Sequence, residues 1–375
     1  MAAQRALPPI RRRWPARHLT KTHRALAVAG LVWLLVEAGA QWRSHLRFGQ
    51  SAFGHIGGAS DEQVNPLAGL RLFRPNARIG GSEQAIQTNS QGLRSPEIPF
   101  DKPAGSLRIA VVGASTVMGA YARDNAHTFP AQLEARLRQA HPGRQVDVIN
   151  AGFAGLGLQE QTQLYRQLVQ RYQPDTVIVY AGINDFAAYC HGPAQAAAPG
   201  RAQRRSLVEL KLPAHLLSVE LLVKNTTALR EPPVHSARRV DAHGLNLQRY
   251  AGDLDALFSA VHGSGARLLM ATNARSYQRN QPAAEQARLA RTARFYNPCF
   301  DIDGLHTLYE RHNALILQRA QAHGIAVARL HELVPGGDGY FVDASHFNAA
   351  GDARVADVLA GLLAGQRRVG PGDGW

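Results

Sequence analysis

The chain has 375 residues, of which 45% are hydrophobic and 19% are charged, and its formal net charge is +14. A chain of this length has room for one large α/β domain with additions, or for two small domains. Half of the positive excess lies in residues 1–24, which contain seven Lys and Arg residues and no Asp or Glu. The excess is therefore a basic tail, and with no interleaving of aromatic and basic residues it does not indicate a nucleic-acid-binding protein.

The segment after this tail is apolar and predicts a transmembrane signal-anchor over residues 25–42. A helix that crosses a bilayer needs about 20 mostly apolar residues, so the prediction requires Glu37 to be tolerated near the outer end. Two alternatives stay open: a signal peptide cleaved after the small residues at 38–40, and an amphipathic surface helix. Because basic residues stay on the cytoplasmic side, a single-pass anchor in the cell membrane would place the rest of the chain in the periplasm or outside the cell.

Residues 43–105 are rich in Pro and Gly and predict a linker and edge-packing region of short strands and turns. From about residue 106 to 366, apolar runs alternate with helical patterns, and residues 367–375 form a flexible tail. The predicted strands cover residues 109–112, 146–149, 176–180, 267–272 and 325–330. Five strands separated by helices predict a three-layer α/β/α domain with a parallel sheet.

Two insertions interrupt this alternation, residues 187–245 and residues 273–302. Both follow the ends of predicted strands, so we expect them to lie over the rim of the site and to shape the substrate; poorly ordered surface insertions are the alternative. Each contains one of the two cysteines, Cys190 and Cys299. An exported chain with an even number of cysteines permits a disulfide, and two buried free thiols are the alternative.

Residues suited to nucleophilic catalysis follow the predicted strands. Ser115 comes just after the first strand, where parallel sheets place their functional groups, although Gly-x-Ser alone is more often a simple turn. Asp343 and His346 lie three residues apart on one segment near the end of the chain. A serine needs a base to take its proton, and a histidine needs a partner that fixes its tautomer. The three residues therefore predict a nucleophile, a base and an orienting carboxylate.

Two further residues after strands predict an oxyanion hole. Gly155 follows the second strand and Asn184 follows the third. A glycine amide and an asparagine side-chain amide both donate hydrogen bonds to a developing negative charge. Asp301-x-Asp303-x-x-His306 is read as a solvated helix start, so neither a metal site nor a cofactor is predicted.

With these residues in this order, the chain from about Arg108 to about Leu363 resembles the SGNH (GDSL-type) hydrolase family. The resemblance implies a flavodoxin-like strand order. It also implies that Ser115 is the nucleophile, that Asp343 and His346 complete the triad, and that Ser115, Gly155 and Asn184 are the oxyanion donors. Gly152 is an alternative to Gly155. Membrane-tethered members of the family often carry a Glu at the position of Glu37.

The first motif of the family usually reads Gly-Asp-Ser, whereas this chain has Ala114 before the serine, so the resemblance is to a variant branch. We expect a serine esterase that removes O-acyl groups, such as acetyl, from cell-envelope or exported polysaccharide. Arg275 and Arg279 would attract an acidic polymer. The alternatives are an O-acyltransferase with the same triad, a lipid-ester hydrolase whose amphipathic segment 206–229 touches the bilayer, and a non-catalytic glycan-binding protein, which Ala114 motivates.

Overall fold

Helices and strands alternate through most of the protein in the computed structural model, which describes residues 21–48, 62–190, 216–219 and 239–365. Residues 1–20 of the predicted basic tail, the tail 367–375 and most of the segment 206–229 lie outside the described residues. The strands are β1 (Glu62–Val64), β2 (Arg71–Phe73), β3 (Arg78–Gly80), β4 (Ala85–Gln87), β5 (Leu107–Gly113), β6 (Val146–Gly152), β7 (Thr176–Tyr180), β8 (Arg267–Ala271) and β9 (Ala326–Ala328). The helices are α1 (Lys21–Phe48), α2 (Ser115–Met118), α3 (Phe129–Ala140), α4 (Leu158–Gln167), α5 (Phe186–Cys190), α6 (Gln248–His262), α7 (Ala283–Leu289), α8 (Arg291–Tyr296), α9 (Ile302–Ala322), α10 (Leu330–Leu333) and α11 (Ala349–Gly365).

Strands β5 to β9 form one parallel sheet in the order β6-β5-β7-β8-β9. This is the flavodoxin-like order 2-1-3-4-5, so the predicted α/β fold is confirmed. The register pairs Gly113 with both Gly152 and Tyr180, and Tyr180 with Ala271. Four strands therefore end at one edge of the sheet, and the segments that follow them meet there.

Helices cover both faces of the sheet. On one face α4 and α6 pack over residues such as Ala110 and Val177, and on the other α3 and α11 pack over residues such as Ile109 and Ile178. All seven residues of β5 are buried. A strand covered on both faces buries every side chain, which is why residues 109–112 form a continuous apolar run without alternation, although Arg108 near the start of β5 is charged.

Helix α4 ends at Gln167, and after Leu168 the chain continues as a 3-10 turn. One predicted strand differs from the structure. The strand predicted over 325–330 is only three residues long, since Leu330 already begins α10. The chain turns there because Thr272 binds both segments: its N–H donates to Ala328 O, and its hydroxyl accepts from His331 N.

The region between α1 and the parallel sheet contains two short antiparallel strand pairs, β1–β2 and β3–β4. At the turn between β3 and β4, Ser82 Oγ and Glu83 N both donate to Leu46 O at the end of α1. On the other side of the turn, Gln84 Nε2 donates to Ala120 O, just after α2. The β3–β4 hairpin therefore joins α1 directly to the segment that follows Ser115.

Helix α1 is longer than the predicted span of 25–42 at both ends. Its 28 residues extend about 42 Å, compared with the roughly 30 Å of a bilayer core. Among the described residues it is the one helix long and apolar enough to cross a membrane. Leu26 and Leu35 on this helix are 66% and 65% exposed, so the protein itself does not cover them.

Glu37 interrupts the apolar sequence of α1, and it is 5% exposed. Its carboxylate accepts hydrogen bonds from Gln41 Nε2 at 2.6 Å and from the main-chain N–H groups of Leu217 and Ser218 at 2.9 and 2.8 Å. These donors compensate the charge, because a buried carboxylate is tolerated when it is hydrogen-bonded. A short piece of the first insertion thus contacts α1 at the residue that the sequence singles out.

Asp352, in the first turn of α11, gives the protein a pH-dependent stability. Burial raises the pKa of this carboxyl from 3.8 to about 8, although Phe129 N and Arg94 oppose the shift. Between about pH 4 and 8 the folded protein therefore holds a proton that the unfolded chain has already released. The proton bound to Asp352 favours the folded state at low pH, and this contribution to stability is lost as the pH rises. We expect the Tm of Asp352→Asn, relative to wild type, to increase between pH 5 and pH 8. Calorimetry of both proteins at the two pH values would contradict this if the difference in Tm did not change.

Candidate active site

Ser115 lies at the sharp turn between β5 and α2. A Cβ on Gly113 would lie 2.3 Å from Val117 Cγ2 and 2.6 Å from Tyr180 O, so only glycine fits at the end of this strand. Ala114, which stands where the family usually has Asp, is 4% exposed. Its methyl group faces Gly182, and a Cβ placed on Gly182 would lie 3.5 Å from the Cβ of Ala114. The turn therefore presents the Ser115 hydroxyl at the sheet edge while the residue before it is buried.

The structure brings Ser115, His346 and Asp343 into direct contact. Ser115 Oγ lies 2.8 Å from His346 Nε2, and His346 Nδ1 lies 2.8 Å from Asp343 Oδ2. With the proton on Nδ1, the ring donates to the carboxylate, and Nε2 can accept the serine proton. This is the arrangement that activates a serine hydroxyl as a nucleophile.

Asp343 is held as a carboxylate by the segment to which it belongs. Its Oδ1 accepts the main-chain N–H groups of Ser345 and His346, both at 2.9 Å, which leaves Oδ2 for the imidazole. Burial of Asp343 would raise its pKa, but the hydrogen bond and charge of His346 and the two N–H groups outweigh burial and bring the pKa below 3.8. Asp343 is therefore ionised near neutral pH and fixes the orientation of the ring.

The segment 341–347 is a tight turn that packs on the core. Val342 N donates to His346 O at 2.9 Å, and Phe341 and Phe347 form a bridge across the turn. The ring of Phe347 contacts those of Phe129 and Tyr180. The position of His346 is thus set by α3 and β7 as well as by its own turn.

Gly155 and Asn184, the predicted oxyanion donors, are joined through Leu156. Asn184 Nδ2 donates one N–H to Leu156 O at 3.0 Å, which leaves the second N–H of the amide for another acceptor. The alternative glycine, Gly152, already donates its N–H to Asn150 Oδ1 at 3.0 Å. This favours Gly155, which has a φ of +82°, as the main-chain donor.

The turn that carries Asn184 is fixed from two sides by residues that the sequence did not single out. Gly182 N donates to Asn273 Oδ1 at 3.0 Å, and Leu158 N at the start of α4 donates to Asp185 at 3.2 Å. Both Asp185 and Asn273 follow strand ends, and this position is the signal that could have identified them.

Tyr121 is a neighbour of the triad that sequence reasoning missed. Its ring packs edge-on against His346, with centroids 5.4 Å apart, and its hydroxyl lies 3.5 Å from Asp343 Oδ2. The residue is 40% exposed. It therefore covers part of the His346–Asp343 pair and also faces the solvent beside it.

The second insertion is helical and packed rather than a loose loop. Helices α7 and α8 share an apolar cluster with Phe186 and with Ala344, the neighbour of Asp343. Cys190 and Cys299 form a disulfide that joins α5 to the segment before α9. The bridge thus links the element that follows Asn184 to the second insertion.

The expected attraction of an acidic polymer by Arg275 and Arg279 is wrong. Arg275 is 8% exposed, and its guanidinium contacts Glu310 at 3.2 Å. Arg279 binds Glu310 at 2.7 Å and Asp303 at 2.6 Å. Both charges are compensated within the protein.

Two histidines of α9 are buried. His312 is fully buried; its Nε2 lies 3.0 Å from Tyr189 OH, and burial lowers its pKa to about 3. His306, expected in a solvated helix start, is 2% exposed, and its Nε2 lies 2.8 Å from Gln286 Oε1.

No group of three or more His, Cys, Asp or Glu in the described part of the chain is arranged to hold a metal ion.

A cavity of about 610 Å³ lies far from these residues. Its lining includes Leu107, Thr176 and Arg267, which are the first residues of β5, β7 and β8. These positions are at the edge of the sheet opposite Ser115. The contacts of the side chains, rather than the size of a cavity, identify the candidate site.

The model of the GDSL-like Lipase/Acylhydrolase family matches residues 111–354 of the chain. The search of curated proteins found no match to this chain. Similar solved structures include an α/β hydrolase enzyme from the metagenome of Lake Arreo, Spain, with 15% identity and a TM-score of 0.43, covering 71% of this chain and 97% of that one. A GDSL-like lipase from Bacteroides thetaiotaomicron has 11% identity and a TM-score of 0.41, covering 72% and 93%. A mutant acetyl-xylooligosaccharide esterase from Geobacillus has 14% identity and a TM-score of 0.41, covering 68% and 93%.

The family match includes Ser115, Asn184 and His346 as well as the end of β5 and all of β6 to β9. Since it spans more than half of the chain, the protein belongs to the GDSL-like lipase/acylhydrolase family and is a hydrolase of ester bonds.

Proposed function

We propose that the protein is a membrane-tethered, extracytoplasmic serine esterase that removes O-acyl groups, such as acetyl, from cell-envelope or exported polysaccharide. The observation that carries the catalytic part is the unbroken line of contacts from Ser115 Oγ through His346 to Asp343, with both distances at 2.8 Å. This line favours a catalytic protein over a non-catalytic glycan-binding one, because binding alone does not require a serine paired with a base.

In the proposed reaction His346 Nε2 takes the proton of Ser115, and Oγ attacks the ester carbonyl. The negative charge that develops on the carbonyl oxygen is stabilised by the N–H groups of Ser115 and Gly155 and by the remaining N–H of Asn184. His346 then gives its proton to the leaving alcohol, and water attacks the acyl-enzyme by the same route. Asp343 stabilises the imidazolium that forms in both steps.

The proposed location of the hydrolase domain outside the cytoplasm is supported by helix α1 and by the two cysteines. The exposed apolar side chains of α1 suit a bilayer, and the basic residues before it suit the cytoplasmic side. A disulfide suits the oxidising side of the membrane. In this proposal residues 1–24 are a cytoplasmic tail, and the hydrolase domain, residues 106–366, lies in the periplasm or outside the cell.

The substrate class rests on this location and on the partial exposure of the triad. Polysaccharides that carry O-acyl groups occur outside the cytoplasm. The side chains of His346 and Asp343 are 20% and 11% exposed, so the base is accessible from the surface. The ring of Tyr121 provides an apolar surface beside it for a sugar. Acetate release from an O-acetylated polysaccharide tests this, and product analysis with and without an acceptor glycan distinguishes hydrolysis from acyl transfer.

Ser115→Ala should abolish hydrolysis of 4-nitrophenyl acetate and labelling by a fluorophosphonate, and Asn184→Ala should lower kcat about 100- to 1,000-fold because one oxyanion donor is lost. Both variants should keep the Tm within a few degrees of wild type. Ser259→Ala, which changes an exposed serine on α6, serves as the control. Near wild-type turnover by Asn184→Ala would remove Asn184 from the oxyanion hole.

If α1 spans the membrane, two charged residues introduced into this helix should release the protein from the membrane. Leu31 and Leu35 are 58% and 65% exposed, and an arginine at the centre of a membrane helix costs about 2.5–3.5 kcal/mol. The double variant Leu31→Arg/Leu35→Arg should leave the membrane fraction after carbonate extraction, while Leu31→Ala/Leu35→Ala stays in it. Retention of both variants would contradict a spanning helix.

The disulfide predicts a redox-dependent stability. Removal of a native disulfide typically costs about 2–5 kcal/mol, so Cys190→Ser should lower the Tm, as should Cys299→Ser or treatment with a reductant. The double variant should lower it no further than either single variant. A Tm that is unaffected by reductant would show that Cys190 and Cys299 are not bridged in the purified protein.

A further inference from the structure

We propose that Arg94 is a positioning residue for the esterase reaction, because it holds in place the turn that connects the Ser115 helix to Tyr121. The inference rests on the proposed function. Arg94 belongs to the region expected to be a linker with edge-packing, and it precedes residues 111–354, which the family model matches. A segment outside the matched region would thus complete the active site of this chain.

Arg94 is 2% exposed, and every nitrogen of its guanidinium is bound. The acceptors are four main-chain oxygens and one side-chain oxygen, at distances between 2.6 and 3.2 Å: Met118 O, Gly119 O, Ala85 O, Ala122 O and Asn125 Oδ1. Three of these carbonyls belong to residues 118–122. The guanidinium therefore gathers the carbonyls of one turn around a single planar group.

This turn is directly bonded to the nucleophile. The N–H groups of Gly119 and Ala120 both donate to Ser115 O at 3.0 Å, and Gly119 adopts a φ of +81° to make the turn. The next residue is Tyr121, whose ring contacts His346. Carbonyls that converge on one point repel each other unless a cation lies between them, so the guanidinium sets the spacing between Ser115 and Tyr121.

Arginine suits this role better than lysine does. Its guanidinium offers five N–H groups in a rigid plane, whereas an ammonium offers three donors around one point. Burial lowers the pKa of Arg94 to about 10, with Asp352 and Asp124 opposing the shift. The group is therefore still charged at neutral pH, and Arg94→Lys would keep a cation but could not reach all five acceptors.

Arg108 provides a matched control. It is also fully buried, and its guanidinium binds Asp147 and the carbonyls of Pro99, Phe100 and Tyr172. It lies near the start of β5, at the end of the strand opposite Ser115. Arg108→Lys should therefore disturb the fold to a similar degree without moving the nucleophile.

The test compares the full-length, detergent-solubilised wild type with Arg94→Lys and Arg108→Lys. The readouts are the Tm, kcat and KM for 4-nitrophenyl acetate, and the rate at which a fluorophosphonate labels Ser115. Displacement of reacting groups by about 1 Å can cost on the order of 100-fold in rate. We expect Arg94→Lys to lose about that much in kcat and in labelling rate, with little change in KM, while Arg108→Lys keeps kcat near wild type despite a lower Tm.

A second variant covers the case in which Arg94→Lys does not fold. Arg94→Ala leaves space for a guanidinium ion, so guanidinium chloride far below denaturing concentrations should raise kcat per labelled site, and it should not do so for Arg108→Ala. Equal kcat per labelled site in Arg94→Lys and Arg108→Lys would overturn the proposal, as would failure of both Arg94 variants to fold. If wild-type Ser115 is not labelled at all, the proposed function itself fails; if it is labelled and Arg94→Lys reacts equally fast, only the positioning role fails.

Discussion

The hydrogen bond between Ser115 Oγ and His346 Nε2 joins two segments that are 231 residues apart in the chain. It can form because the register of the sheet brings the ends of β5, β6, β7 and β8 to one edge. On that edge the turn after β5 presents the serine, and the aromatic packing of Phe347 holds the turn that presents the histidine. The chemistry of the protein thus depends on strand register more than on any single loop.

Much of this arrangement could be predicted from residue patterns. A strand buried on both faces is mostly apolar, and this pattern identified β5 and β7. Polar residues directly after such strands identified Ser115 and Asn184. The misses share a cause: a sequence does not show which polar side chains are buried together. Arg275 and His312 are ordinary polar residues in the chain, and only the packing of α9 brings them against Glu310 and Tyr189.

Arg94 and Arg108 illustrate how this fold uses buried cations. Both bind several main-chain carbonyls, and these include carbonyls of turns and short segments beside β5. A buried carbonyl without a donor destabilises the folded state, and one guanidinium supplies several donors at once. The two arginines therefore allow turns to be buried at both ends of β5.

The β3–β4 hairpin has a consequence for what the enzyme can reach. It touches Leu46 at the end of α1 on one side and Ala120, beside Tyr121 and the imidazole, on the other. Only a few side-chain and peptide lengths separate the two contacts, so His346 lies within about 25 Å of that helix end. With α1 in a bilayer, as proposed, the active site would stay close to the membrane surface. The hydrolase would then act only on esters that come close to the lipid headgroups.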